Sequence, residues 1–231
     1  PRDQIGILRS GPQGRPRPER KSDPLALREA LDEASARLER AERPVILADV
    51  EIHRFRLLKE LLELAESTGM PITSTILGKS VISEAHPLFA GVYGGGMGQP
   101  EVPALVESAA CLLMLGCFLS DINLGIFTAK LDPSRCIDAT SEHLRIGHHH
   151  YRGVHLDDFI RGLIARKPAC KRVPVPMRSD PFADVDMGAG DSKTTSARLF
   201  ARLNLFLAEN RGTTVIADVG DSLFGAMDLE M

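Results

Sequence analysis

The chain has 231 residues and a formal net charge of −3, which leaves no general surface for a polyanion and argues against nucleic-acid binding. Hydrophobic residues make up 43% and charged ones 26%, the balance of a soluble globular chain long enough to bury a full core, so disorder throughout is excluded. Charge, Gly or Pro breaks every apolar run short of the roughly 20 residues that cross a bilayer, so no membrane insertion is expected.

In chain order, the first segment carries Pro1, Pro12, Pro16, Pro18 and Pro24 among Gly and basic residues. No helix interior or central strand tolerates that pattern, so residues 1–24 read as a linker, with a locally basic stretch at 15–21. Over residues 25–41 the apolar side chains Leu25, Leu27, Ala30, Leu31, Ala34 and Leu38 recur at helical spacing. Asp23 and Pro24 stand ahead of them as cap and first-turn signals. Residues 44–48 form a short continuous apolar run, a buried strand. Leu57, Leu58, Leu61, Leu62, Leu64 and Ala65 then mark a helix over 55–67 that Gly69 stops.

The same alternation continues with strands over 71–76, 111–115 and 135–139 and helices over 101–108 and 156–165. Buried strands alternating with helices imply a mostly parallel sheet with helices on both faces. The fold class expected for residues 25–167 is therefore α/β, a doubly wound Rossmann-like domain. Pro168, Pro174, Pro176, Pro181, Gly188 and Gly190 make 168–192 a second linker. A further unit opens over 193–231, with a helix through Leu199, Leu203 and Leu207, a strand over 213–217 and a turn over 218–222.

Few motifs carry chemistry of their own. Thr73-Ser-Thr-Ile-Leu-Gly-Lys-Ser80 approaches a phosphate loop but lacks its first glycine. Gly94-Gly-Gly-Met-Gly98 lacks dinucleotide spacing and reads as a mobile turn before the helix at Glu101. Asp49-Val-Glu-Ile-His53 has no glycine where a dinucleotide-binding domain needs one, which disfavours FAD or nicotinamide there. Of His148, His149 and His150 only two imidazoles converge on one side of a strand, so a structural role is expected and no metal site is assigned. Cys111, Cys117, Cys136 and Cys170 lack C-x-x-C spacing and no signal peptide is seen, so reduced thiols in a cytoplasmic protein are expected. No nucleophile and base stand together, so no catalytic residue is assigned.

Several strings in order resemble the pyruvate, indolepyruvate and phenylpyruvate decarboxylases, thiamin-diphosphate enzymes with three domains per subunit. They are Pro44-Val-Ile-Leu-Ala-Asp49, Gly78-Lys-Ser-Val-Ile-Ser-Glu-Ala-His-Pro87, Gly91-Val-Tyr93, Val106-Glu-Ser108, Leu115-Gly116, Leu119-Ser-Asp121 and Asn123. Pro1-Arg-Asp3 resembles the end of the family's pyrimidine-binding domain. Val215-Ile-Ala-Asp-Val-Gly-Asp-Ser-Leu-Phe-Gly225 resembles the opening strand and turn of its diphosphate-binding domain.

The resemblance implies a complete central domain and a truncated third domain, hence an inactive scaffold within a larger decarboxylase. It implies thiamin diphosphate and Mg as cofactors of the whole enzyme, no FAD, a 2-oxo acid substrate, and a homodimer or homotetramer. Val219, Gly220, Asp221 and Ser222 match family positions near the cofactor. The family's activating Glu, its Gly-Asp-Gly motif and the downstream Asn that holds magnesium have no match here. Where some yeast-type members carry a regulatory cysteine, this chain has Val50-Glu51-Ile52. Two other readings stay open: a stand-alone Rossmann-like module for a nucleotide or acyl-CoA, and a carboligase or hydrolase of the same superfamily.

Overall fold

The computed structural model describes residues 21–231, so the expectations for residues 1–20, including Pro1 to Asp3, lie outside the described part. Helix α1 spans Pro24–Arg40, and its start is fixed by Asp23, whose side chain accepts from the amides of Leu25 and Ala26. Such a cap satisfies amides that a helix start cannot pair internally. Strand β1 is Pro44–Ala48 and fully buried; α2 (Val50–Arg54) follows, then α3 (Leu58–Thr68), stopped by Gly69 at φ 69°. Strand β2 is Ile72–Thr75, β3 is Phe89–Tyr93, α4 is Glu101–Glu107 and β4 is Cys111–Leu115. A short 3-10 turn at Pro133–Arg135 leads into β5, Cys136–Ala139. Strands β6 (Leu144–Ile146) and β7 (His149–Tyr151) form a hairpin before α5, Leu156–Arg166. Helices α6 (Ser196–Glu209) and α7 (Asp221–Ala226) complete the described elements.

The seven strands form one sheet in the order β3-β2-β1-β4-β5-β6-β7. The first five are parallel, while β6 and β7 add antiparallel at one edge. Because successive side chains of a strand point to opposite faces, β1, β4 and β5 feed two cores. Ile46, Ala48, Leu113, Leu115, Ile137 and Ala139 pack toward α1, α3 and α5. Val45, Leu47, Leu112, Met114 and Cys136 pack toward Val102 and Val106 of α4 and toward Leu131. Helices thus lie on both faces of a mostly parallel sheet. Gly162 allows α5 to close on α1, since a Cβ there would stand 2.4 Å from Leu31 Cδ1.

Some elements depart from the sequence expectation. Strands β3 and β6 and helix α2 are elements to which the sequence reading assigns no secondary structure, and β7 falls on the histidine run weighed there as strand. Residues 213–217, expected as a strand, have no ladder partner among the described residues, and Ile216 is 92% exposed. A strand is stabilised by its neighbours, and the described residues supply none there. All four cysteines are free; Cys111, Cys117 and Cys136 are buried and Cys170 half-buried. Burial pushes the Cys111 thiol up to about 12 and that of Cys136 to about 11, which keeps both protonated and unreactive. Among the described residues no helix is long and apolar enough to cross a membrane.

Candidate functional site

In an open sheet with this strand order, ligands bind beyond the carboxyl ends of the strands where the order reverses, here between β1 and β4. That crevice is filled by the protein itself. Asp49, at the end of β1, is fully buried. Its Oδ1 accepts from the Thr75 hydroxyl and its Oδ2 from the amide of Phe118 (2.7 Å) and from Asn123 Nδ2 (2.9 Å). Asn123 Nδ2 also donates to the Phe118 carbonyl, and its Oδ1 accepts from the amide of Leu77 at 3.0 Å. Desolvation by burial raises the Asp49 carboxyl above its ordinary value; the bonds from Thr75 and Phe118 counter that only in part. Two residues on, the Glu51 carboxylate accepts from both the amide and the hydroxyl of Ser141. Gly116, at φ 65°, lets the chain pass, since a Cβ there would meet Glu51 Cβ at 2.7 Å.

The glycine cluster has a packing role. It directly follows β3, and Gly96 donates its amide to Thr128 Oγ1 at 2.8 Å. A Cβ on Gly125 would lie 2.0 Å from the Gly94 carbonyl oxygen. The turn expected to be mobile is therefore backed by the loop after β4 and offers no phosphate cradle. Lys79, in the phosphate-loop look-alike, sits in a turn and not at a helix start. Its Nζ pairs with Glu84 and donates to the carbonyls of Met227 and Leu229.

Of the three consecutive histidines, His149 makes a side-chain contact, while His148 and His150 are exposed. His149 Nδ1 lies 2.9 Å from Glu33 Oε2, to which the Tyr151 hydroxyl donates at 2.6 Å. His143 bridges Asp138 and Thr140 across the β5–β6 turn. This Thr-His-Asp string is no nucleophile relay, because Thr140 Oγ1 is held by the amides of Glu142 and His143. No group of three metal-binding side chains occurs among the described residues.

Val219, Gly220, Asp221 and Ser222 surround the start of α7. Gly220 has φ 112° and ψ −153°, a conformation only glycine adopts readily. Val219 donates its amide to Asp218 Oδ1 and Ser222 donates its hydroxyl to the Asp218 carbonyl, both at 2.8 Å. Val219 is 70% exposed, and Asp221 and Ser222 are also exposed. The inner side of α7 meets Ile76 and Lys79 of the sheet's carboxyl edge around a cavity of 160 Å³. The four residues form one turn, and the segment at the other end of α7 is joined to the central domain through Lys79, a contact for which the sequence holds no local signal.

Residues 31–160, from α1 into α5, match the family described as thiamine pyrophosphate enzyme, central domain. The chain belongs to this family. Among curated relatives, it is 32% identical to a pyruvate decarboxylase of Candida glabrata over 208 residues, covering 88% of this chain and 36% of that protein. Pyruvate decarboxylase isozyme 1 of Saccharomyces cerevisiae gives the same identity and coverage. An indole-3-pyruvate decarboxylase of Azospirillum brasilense is 29% identical over 215 residues, with 88% and 37% covered. The chain spans about a third of the length of the curated relatives it matches.

The family's cofactor needs more than the α7 turn provides. The first amides of a helix can take a phosphate oxygen. A bound molecule of this size is buried in a cavity of about 300–1,000 Å³, and the cavity under α7 is well below that. The described residues do not fit a complete cofactor site, and no reaction step is assigned through it.

Proposed function

We propose that the chain is the central, scaffolding part of a thiamin-diphosphate- and magnesium-dependent enzyme that decarboxylates a 2-oxo acid without oxidation, releasing an aldehyde and carbon dioxide. The observation that carries this reading is similarity over 88% of the chain to proteins named pyruvate decarboxylase, farther than the central-domain match alone extends. The decarboxylation chemistry belongs to the cofactor; the sheet's part is to hold neighbouring units in place. Val219, Gly220, Asp221 and Ser222 contribute one edge of the diphosphate site, which the glycine-borne turn at a helix start supports. The protein works in the cytoplasm as a homodimer or homotetramer and binds no flavin; the carboxylates of Asp49 and Glu51 in the crevice support the last point.

The test is release of carbon dioxide from pyruvate, indolepyruvate and phenylpyruvate in the presence of thiamin diphosphate and Mg²⁺. We expect none from the 231-residue chain alone and steady turnover when the same chain stands between a pyrimidine-binding and a complete diphosphate-binding domain. Turnover by the chain alone overturns the scaffold role. Failure of the complete protein on all three acids overturns the decarboxylase assignment.

A further inference from the structure

The sequence Gly78-Lys79-Ser80 has lost its phosphate-loop reading, yet Lys79 is among the most engaged cations of the molecule. Its side chain is 16% exposed and that of Glu84, its ion-pair partner, 6%. Glu84 is itself held by Arg178, whose guanidinium donates to the Glu84 carbonyl at 3.1 Å and lies 3.5 Å from its carboxylate. With its charge balanced in this way, the ammonium spends its other protons on main-chain carbonyls distant in sequence, Leu229 O at 2.8 Å and Met227 O at 3.3 Å.

Those carbonyls belong to the segment that leaves α7. Around it, Gln99 donates to the Asp228 carboxylate at 2.8 Å, and Asn204 of α6 brackets the main chain, donating to Asp228 O and accepting from the amide of Glu230. Met227 and Leu229 are buried, at 8% and 3% exposure. A cation gripping two carbonyls two residues apart fixes both the place and the direction of the chain, which an apolar contact alone does not.

We propose that Lys79 is a positioning residue: its ammonium clamps the main chain leaving α7 and thereby fixes the turn of Val219, Gly220, Asp221 and Ser222 relative to the carboxyl edge of the sheet. The lever is short and stiff, since a six-residue helix is about 9 Å long. Arginine serves the same purpose, because it too is a cation with several donors; methionine fills the space and loses the grip. The consequence for a diphosphate site rests on the decarboxylase reading, whereas the clamp does not.

Hydrogen exchange on the 231-residue chain tests it without substrate or cofactor. In Lys79→Met the amides of residues 221–231 should exchange roughly tenfold faster, with those of β1 and β4 unchanged, and Lys79→Arg should stay near the parent chain. Unchanged exchange of residues 221–231 in Lys79→Met overturns the proposal. A second measurement needs no substitution at Lys79: acetylation of Lys79 relative to the exposed Lys59 should rise severalfold when residues 227–231 are deleted. Equal reactivity before and after the deletion likewise overturns it. Because both readouts ignore turnover, a failed clamp and a failed decarboxylase assignment give different results.

Discussion

Asp49 carries a carboxyl group into the interior with three donors around it and, among the described residues, no cation paired to it, and that sets its behaviour. Its folded-state pKa stands above the ordinary 3.8, so the folded chain holds this proton more tightly than the unfolded chain does. The stability it contributes is present at low pH and is lost as pH rises through the folded value. Urea unfolding should therefore show the parent chain losing stability relative to Asp49→Asn as pH is raised from about 4; parallel pH profiles contradict this. Asn123→Ala, which leaves the buried Asp49 carboxyl with one donor fewer, should cost roughly 1–3 kcal/mol in the same assay at pH 7. Gly125→Ala drives a methyl into the Gly94 carbonyl at a φ of 56°, and the loss should exceed about 1 kcal/mol. The sequence holds Asp49, Thr75 and Asn123 as unrelated polar residues; only the return of β2 and β4 beside β1 brings them together, so the network had no local signature.

At the scale of elements, legibility follows burial and caps. Helix α1 shows its cap, proline and apolar stripe in the sequence, and β1 and β4 are unbroken apolar runs; for all three the sequence pattern ends within a residue or two of the observed bounds. Asp23→Ala should accordingly lower stability by about 1 kcal/mol, seen as an earlier urea midpoint. Strand β3 hides behind Pro87 and Gly91, and the β6–β7 hairpin is three residues a side with a polar outer strand; neither shows the period by which strands are read. Residues 213–217 are the opposite case, strand-like in composition and unpaired in the fold. Their amides should exchange without protection in this chain and become protected when the chain is joined to a complete diphosphate-binding domain, whose strands would supply the ladder. Equal exchange in the two contexts contradicts the assignment of this segment to that domain.

At the scale of the whole molecule, the sheet ends in the short, polar β7 at one edge and in the apolar β3 at the other. An exposed edge strand invites pairing with another chain, and natural sheets cover it. Here the linker after α5 does so: the Arg178 guanidinium lies 5.4 Å from the centre of the Phe89 ring, and Ser179 bonds to Glu101 and Gln99 beside α4. The proline-rich composition that marked 168–192 as a spacer is thus compatible with a second use, because an extended segment without its own hydrogen-bond ladder can lie along an edge without extending the sheet. Arg178→Ala removes the contact over Phe89, worth about 0.5–1 kcal/mol at such a partly exposed place, and leaves Glu84 with Lys79 as its cation partner. The stability change should be small, while the rate of aggregation on mild heating, followed by light scattering, should rise markedly above that of the parent chain. A variant that loses stability but aggregates no faster would separate the two effects and assign the strap to stability alone.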